Sequence, residues 1–368
     1  MDDERLRPLR VVVEALAADF GGIRTYVENL LQTWQQTYPQ DRLLVVRRPG
    51  SDLDTGDHAR RELRVPAPAT VGRPLAQTAR TNAIVRDFRA DVLLATLPST
   101  TLIHPSIPVA VVVHDLRHEL RPDQFSRGRR VLRRLSYGRA YAVATGFIAV
   151  SQNTLDDLHR LHPSIRGKPS VVVHHGGDHV GSWPAATRLG PAVAFAHHTN
   201  KNPDLVVEGW AEAQRLGVGL PPLLVLGVSP HLRGSLARLI DQHELDGQVT
   251  LAPYLSEEDF RRTMAEAAVV VLPSDLEGFG LPVIEGMALG KPVVIGPDPG
   301  AVEVAGGHAT VMEGWTAAAL AEAVERAAAS PPEAIEAART WAQTFTWERA
   351  VRETRSALGE LLAPGGLD

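Results

Sequence analysis

The sequence predicts an α/β protein of two Rossmann-like, doubly wound domains. Short apolar runs of the length of buried parallel strands alternate with helical stretches along both halves of the chain. A segment rich in glycine, proline and small residues, 176–191, separates the two sets. The length of 368 residues also fits about two domains.

In the first half, each strand-like run is followed by a polar or glycine-containing turn. Thr25–Thr37 reads as the first helix, because Tyr26, Leu30, Leu31 and Trp34 fall on one side of it. The predicted strands are Arg10–Val13, Leu43–Val46, Val92–Ala95, Val109–Val113, Phe147–Val150 and Val171–Val173.

The second half repeats this alternation and ends in a helix. Its predicted strands are Ala192–Ala196, Leu223–Leu226, Val249–Leu251, Val269–Leu272 and Val293–Ile295. Its predicted helices include Asp204–Arg215, Ser235–His243, Glu257–Ala267 and the C-terminal Trp347–Leu362. We therefore expect one domain over residues 1–180 and a second over 181–346.

The composition of the chain excludes several classes of function. A net charge of -5 argues against nucleic acid as the main partner, and the absence of cysteine excludes thiol catalysis and thiolate metal sites. The histidines and carboxylates show no paired spacing typical of zinc, so we expect no metal. The N-terminal residues lack an apolar signal core and no run approaches a membrane span. The simplest expectation is a cytoplasmic protein.

The most informative stretch is Ser274–Ile295. It reads as the end of a buried strand, a glycine turn and a helix that begins near Pro282 and ends at Gly290. Such a helix N-terminus offers backbone N–H groups and a positive dipole end to a diphosphate. Glu285 could accept two ribose hydroxyls, and Glu277 faces whatever lies beyond the phosphate.

Two glutamates separated by seven residues, within Glu-Gly-Phe-Gly-Leu-Pro, resemble the donor-binding motif of glycosyltransferase family 4. The resemblance implies the GT-B fold, with two domains facing across a cleft, and retaining transfer from a nucleotide sugar. It also implies that the N-terminal domain is the acceptor side, that helix 347–362 packs back on it, and that 181–346 is the donor side. The residues it assigns to donor binding are Gly278, Phe279, Gly280, Leu281 and Glu285, with Glu277 orienting hydroxyls of the donor sugar.

Two further candidates lie in the first half. Gly21-Gly22 follows the first strand, where glycine permits a close approach of ligand to backbone, although a plain tight turn is the alternative. The wider phrase from Phe20 to Leu30 resembles the family's first loop and helix, which favours a role for Gly22 near the donor phosphates. His114 ends a strand on the side where α/β sheets bind ligands, and the resemblance implies contact with a hydroxyl of the donor sugar.

Lys201 follows the first strand of the second half and could neutralise a leaving diphosphate. Family members usually carry an arginine several residues earlier, which this chain lacks. Either His197 or His198 replaces it, or backbone amides hold the phosphate instead.

Six arginines, at positions 127, 129, 130, 133, 134 and 139, alternate with apolar residues in one stretch. A solvated helix face explains this pattern most simply. The functional alternative is peripheral contact through Arg127–Arg139 with an anionic membrane or an anionic, lipid-linked acceptor.

Taken with these residues, the resemblance implies a retaining, metal-independent hexosyltransferase without a cofactor, whose co-substrate is a nucleotide diphosphate sugar. It would move a hexose or deoxyhexose to a hydroxyl of a glycan, a lipid-linked or a small-molecule acceptor, in polysaccharide or secondary-metabolite biosynthesis. The alternatives are a nucleotide-sugar epimerase on the same fold and a non-catalytic nucleotide-sugar-binding scaffold.

Overall fold

The computed structural model describes residues 7–363. Its contacts divide the chain into two compact units, one reaching up to Gly176 and resuming at Trp347, the other spanning Gly177–Thr346. The division falls four residues before the sequence-based boundary at residue 180. No helix in the described range is long and apolar enough to cross a bilayer.

The first unit is built on a seven-stranded sheet in the order β3-β2-β1-β4-β5-β6-β7, with every neighbouring pair parallel. Its strands are β1 (Arg10–Glu14), β2 (Arg42–Arg47), β3 (Ala59–Glu62), β4 (Val92–Ala95), β5 (Val109–Val113), β6 (Gly146–Ala149) and β7 (Ser170–Val172). Its helices are α1 (Gly21–Thr37), α2 (Ala69–Phe88), α3 (Arg117–Leu120), α4 (Arg127–Val143) and α5 (Gln152–Leu161).

The second unit holds a six-stranded sheet in the order β10-β9-β8-β11-β12-β13, again parallel throughout. Its strands are β8 (Ala192–Phe195), β9 (Leu223–Leu226), β10 (Val249–Leu251), β11 (Val270–Leu272), β12 (Val293–Ile295) and β13 (Thr310–Val311). Its helices are α6 (Pro203–Leu216), α7 (Pro230–Gln242), α8 (Glu257–Glu266), α9 (Leu281–Ala288), α10 (Pro299–Ala305), α11 (Ala317–Ala328) and α12 (Pro332–Ala342).

The predicted α/β class is confirmed, and each predicted strand is present to within one residue at either end. The central strands are buried on both faces, which is why they read as continuous apolar runs. Two strands lack such an apolar run and were not predicted. β3 is a fully exposed edge strand with the sequence Ala-Arg-Arg-Glu, and β13 has only two residues. Helix α7 begins at Pro230, five residues before the predicted start, because proline suits the first helical turn.

The last helix, α13 (Trp347–Glu360), belongs to the first unit and packs on α1. The buried guanidinium of Arg355 donates to both carboxylate oxygens of Asp41, at 2.7 and 3.1 Å. Asp41 also accepts a hydrogen bond of 3.0 Å from the indole of Trp34 on α1. Moving α13 away would leave a buried charge unpaired, which would cost stability. The network therefore holds α13 in its position.

Candidate functional site

Lys201 and Glu277 form a buried ion pair at the carboxyl ends of β8 and β11. A short turn, Thr199–Lys201, follows β8 and brings the Lys201 ammonium onto Glu277 Oε1. The two side chains are only 7% and 10% exposed. The loops that carry them are joined by Asn200 Nδ2, which donates to the carbonyl of Leu276 at 2.9 Å. A cation and a carboxylate are therefore held together where open α/β sheets bind ligands.

Asp298 supports the backbone of Glu277 from the next loop. Its Oδ2 accepts the N–H of Glu277 at 3.1 Å and that of Ala301 at 3.0 Å, so it also caps α10. Burial, with the neighbouring charge of Glu277, raises the pKa of Asp298 to about 6. Gly300 permits this approach, since a Cβ there would lie 2.2 Å from the carbonyl oxygen of Glu277.

The turn before α9 adopts the geometry that the sequence indicated. Gly280 precedes the helix with φ +82°, a conformation that L side chains rarely adopt. Over the described residues, the N–H groups of Gly280 and Leu281 donate no hydrogen bond to the protein. The side chains of Phe279 and Leu281 are buried, with Phe279 packed edge-on against Phe345 at 5.9 Å. A ligand could therefore contact Phe279 and Leu281 through their backbone groups rather than through their side chains. Gly278 lies within the same turn.

Glu285 lies buried in α9 and has a partner that sequence reasoning missed. Its Oε1 lies 3.1 Å from Nε2 of His179, in the short 3-10 turn Asp178–Ser182. The ring of His179 is in turn packed edge-on against Trp183 at 5.5 Å. Because the bond engages Oε1, it fixes the carboxylate and leaves Oε2 as its second acceptor.

His197 and His198 directly follow β8. Their rings lie 5.0 Å apart, and that of His197 lies 6.5 Å from Tyr254 in the loop after β10. His198 is exposed and His197 is half-buried. Both are thus on the same edge of the sheet as Lys201, within reach of an anion that occupies that edge.

In the first unit, His114 lies at the end of β5 beside aromatic residues. Its Nε2 lies 3.0 Å from the carbonyl of Thr96, so Nε2 carries the proton and donates. Burial lowers the pKa of His114, which favours the neutral ring with Nδ1 as an acceptor. Tyr26 and His175 pack against the ring at 5.0 and 5.4 Å between centroids.

The glycine pair of the first unit differs from its predicted place. Gly21 and Gly22 form the first turn of α1, which begins four residues before the expected Thr25. The left-handed conformation belongs to Gly21, with φ +65°, and no protein atom would meet a Cβ there. The open space is therefore at Gly21, while Gly22 presents helical backbone.

Glu14, at the end of β1, is a further residue that the sequence analysis did not single out. It is 4% exposed and accepts hydrogen bonds from Gln77 at 2.8 Å and Thr81 at 3.0 Å. Burial raises its pKa to about 7. Among residues 7–363, no cluster of three or more His, Asp or Glu side chains could hold a metal ion.

Two family models match this chain. The model described as "Glycosyl transferases group 1" matches residues 195–343, and "Glycosyltransferase Family 4" matches residues 20–180. The chain belongs to glycosyltransferase family 4. The predicted resemblance is confirmed on both units.

Curated relatives cover parts of the chain. It is 30% identical over 139 residues to O-antigen chain mannosyltransferase B of Escherichia coli, covering 37% of this chain and 36% of that protein. It is 31% identical over 242 residues to D-inositol 3-phosphate glycosyltransferase of Mycobacterium marinum, covering 57% and 50%. The matches thus span between about a third and half of the length of these relatives.

Solved structures show the fold over nearly the whole chain. Sucrose-phosphate synthase from Thermosynechococcus elongatus superposes with a TM-score of 0.74 at 17% identity, covering 96% of this chain and 99% of that one. Anabaena HepE in complex with UDP and glucose superposes with a TM-score of 0.73 at 16% identity, covering 96% and 100%. The GT-B fold, with two Rossmann-like domains, is confirmed.

Proposed function

We propose that this family 4 member is a retaining, metal-independent hexosyltransferase that uses a nucleotide diphosphate sugar. The observation that carries the proposal is the buried pair of Lys201 and Glu277 in the same unit as the α9 N-terminus and Glu285. A diphosphate is bound by a cation together with N–H donors. The donor sugar needs an acceptor for its hydroxyls, and the ribose needs a second carboxylate. The HepE structure contains UDP and glucose, which supports a donor of this class.

The chemistry rests on electrostatic stabilisation of the leaving diphosphate. Lys201 and the N–H groups of Gly280 and Leu281 would face the charge that develops as the glycosidic bond breaks, with His197 or His198 supplying the missing upstream cation. In a retaining transfer on one face of the sugar, a departing phosphate oxygen accepts the proton of the acceptor hydroxyl. This scheme requires neither a metal nor a cofactor.

Glu277 would orient hydroxyls of the donor sugar rather than act as a nucleophile. Its Oε1 is bound by the Lys201 ammonium, which withdraws electron density from the carboxylate. Glu285, held by His179, would accept the ribose hydroxyls. In the first unit, Nδ1 of His114 would accept a hydrogen bond from a donor-sugar hydroxyl, and the backbone of Gly22 would lie near the phosphates.

We further propose that the acceptor is a hydroxyl of a glycan, a lipid-linked or a small-molecule substrate, and that the transferred sugar is a hexose or deoxyhexose. The E. coli relative named a mannosyltransferase and the mycobacterial inositol-phosphate glycosyltransferase are consistent with this range. We place the reaction in the cytoplasm, with peripheral membrane contact through Arg127–Arg139.

The decisive experiment begins with a thermal-shift panel of UDP, GDP and dTDP. A nucleotide at a hundredfold excess over Kd should stabilise the protein by about 2.7 kcal/mol. Glu285→Gln should reduce this shift, whereas Glu322→Gln, an exposed glutamate on α11, should leave it unchanged.

Product analysis then separates the candidate functions. With the selected donor and a panel of acceptors, a product that keeps the anomeric configuration by NMR, formed also in EDTA, supports the proposal. Conversion of the donor without any acceptor would indicate an epimerase. Binding without turnover or hydrolysis would indicate a scaffold, and inversion would refute the retaining chemistry.

A further inference from the structure

The first unit carries an apolar groove of about 330 Å³ between α2 and α4. We define the apolar groove by its six apolar lining residues: Val71, Pro74, Leu75, Leu102, Leu132 and Leu135. Its size lies near the lower end of the roughly 300–1,000 Å³ typical of small-molecule sites. None of its lining residues is among the candidate donor-site residues described above.

Large apolar side chains are exposed on and around this groove. Leu135 is 67% exposed, Val131 58% and Leu75 55%. Ile103, in the loop beside Leu102, is exposed as well. Single exposed apolar residues are ordinary, but a contiguous set around a depression marks an interaction surface.

Hydrogen bonds within the protein join the two walls of the groove. Thr78 on α2 accepts the N–H of Leu102 at 2.8 Å, and Arg139 on α4 donates to the carbonyl of Leu102 at 2.6 Å. One loop residue thus joins both helices.

Helix α4 carries six arginines beside the groove, of which Arg139 lines it, and none of the six is neutralised by an ion pair within the described residues. Helix α4 contains no acidic residue, and within residues 7–363 none of its six arginines lies within 4.0 Å of a carboxylate oxygen. On α8, α12 and α13, by contrast, arginines such as Arg261, Arg339 and Arg352 pair with a glutamate of their own helix.

The position of these arginines is also unfavourable for the helix itself. Residues 127, 129 and 130 lie in the first turn of α4, where the positive end of the helix dipole repels cations. Neither helix stability nor ion pairing accounts for them. A partner with a negatively charged surface would.

We propose that the apolar groove takes a hydrocarbon chain of an anionic membrane lipid while the α4 arginines contact the lipid headgroups. The charge of the arginines complements an anionic bilayer, and the groove offers the apolar contact that a soluble polyanion would not use. The proposal rests on the membrane contact proposed above and adds a site for a lipid chain to it, but it is independent of the transferase chemistry, since it uses neither the donor site nor turnover.

Insertion can be followed with a single labelled cysteine, because the native chain contains none. In the variant Leu135→Cys, the new cysteine is labelled with an environment-sensitive dye, which places the dye at the groove. Leu189→Cys, 79% exposed in the second unit, is the matched control. Each is mixed with vesicles of phosphatidylcholine alone or with phosphatidylglycerol, containing spin-labelled lipids that quench within the acyl region. We expect quenching at position 135 only, and only with the anionic vesicles.

Sedimentation with the same vesicles tests the two contributions separately. Replacing Arg129, Arg130, Arg133 and Arg134 with Gln should weaken binding about fivefold for each charge removed. Leu132→Gln with Leu135→Gln should weaken it at least about tenfold, whereas Leu189→Gln should not. Nucleotide thermal shifts of every variant report that the protein is folded, and they test the donor site independently.

Absence of binding to anionic vesicles at low salt overturns the proposal. So does binding without quenching at position 135, which would indicate electrostatic adsorption alone. Equal binding to an acidic peptide or polymer, with the same dependence on Leu132 and Leu135, would point to a protein partner and also refute the lipid assignment.

Discussion

Glu14 should make the stability of the first unit fall as the pH rises through neutrality. It lies at the end of β1, buried, with hydrogen bonds from Gln77 and Thr81 and no ion pair among the described residues. Burial raises its pKa from 4.5 to about 7. A group whose pKa is higher in the folded state stabilises that state fully below the unfolded pKa, and this contribution is lost as the pH rises through the folded pKa.

The magnitude follows from the difference between the two pKa values. At about 1.4 kcal/mol per pKa unit, the difference of about 2.5 between the two pKa values corresponds to about 3.5 kcal/mol of stability, lost between pH 4.5 and about 7. This is a substantial fraction of the roughly 5–15 kcal/mol that stabilises a typical domain.

Glu14→Gln should remove this pH dependence without removing the hydrogen bonds. The amide oxygen can replace Oε2 as the acceptor of Gln77, while the amide nitrogen faces the hydroxyl of Thr81, which can rotate and accept. The variant should match the native protein near pH 4 and exceed its stability by about 3.5 kcal/mol at pH 8.

The assay is guanidinium unfolding from pH 4 to pH 9, with pulsed hydrogen exchange read on peptides of β1. The exchange measurement reports the unfolding of the first unit separately, which is needed because a chain of two units need not unfold in one step. Subtracting the two proteins at each pH cancels every other titrating group. Glu322→Gln, on the exposed face of α11, is the control and should change nothing. Parallel pH profiles for the native protein and Glu14→Gln would refute the reasoning.

The donor site yields three further predictions. Lys201→Ala should lower kcat about 100-fold with a smaller effect on KM, since its charge acts most on the leaving diphosphate; steady-state kinetics showing full activity would exclude this role. His179→Ala should weaken nucleotide binding about tenfold by calorimetry, but not when Glu285→Ala is already present, because the histidine acts through that carboxylate. Asp298→Ala should weaken donor binding by freeing the N–H of Glu277, whereas Asp298→Asn should retain most of the affinity; equal losses would refute the hydrogen-bond argument.

The sequence was sufficient to predict the sheets because their central strands are buried on both faces. An uninterrupted run such as Val109–Val113 has few alternatives to a parallel strand. β3 could not be found this way, because an exposed edge strand needs no apolar side chains. The start of α1 was misplaced for a related reason: glycine disfavours helix, and only the surrounding structure holds Gly21-Gly22 in the first turn.

The same limit applies to the site. Glu277, Glu285 and the glycine turn share one local segment, so their chemistry can be read from spacing alone. Their supporting residues lie far along the chain: His179 is 106 positions from Glu285, and Asp298 is 21 from Glu277. No period or motif links such pairs, because tertiary folding alone brings them together.

Glu14 shows how a correct local pattern can still conceal a buried carboxylate. A glutamate after three buried valines marks the end of a strand, and the usual inference is that its carboxylate meets water. In the structure, the carboxylate is instead buried against Gln77 and Thr81 of α2, which lie 63 and 67 positions from Glu14 in the sequence. A buried carboxylate without a cation costs stability once it ionises, so its place is determined by these neutral donors. The hydroxyl of Thr96 donates to the backbone carbonyl of Glu14 at 2.7 Å, and the carbonyl of Thr96 accepts from His114 at 3.0 Å, so the backbone of Glu14 is linked to the loop that positions the histidine. If that link is functional, Glu14→Gln should alter the pH profile of kcat/KM above pH 7 while its nucleotide affinity stays constant. An unchanged profile would limit Glu14 to stability.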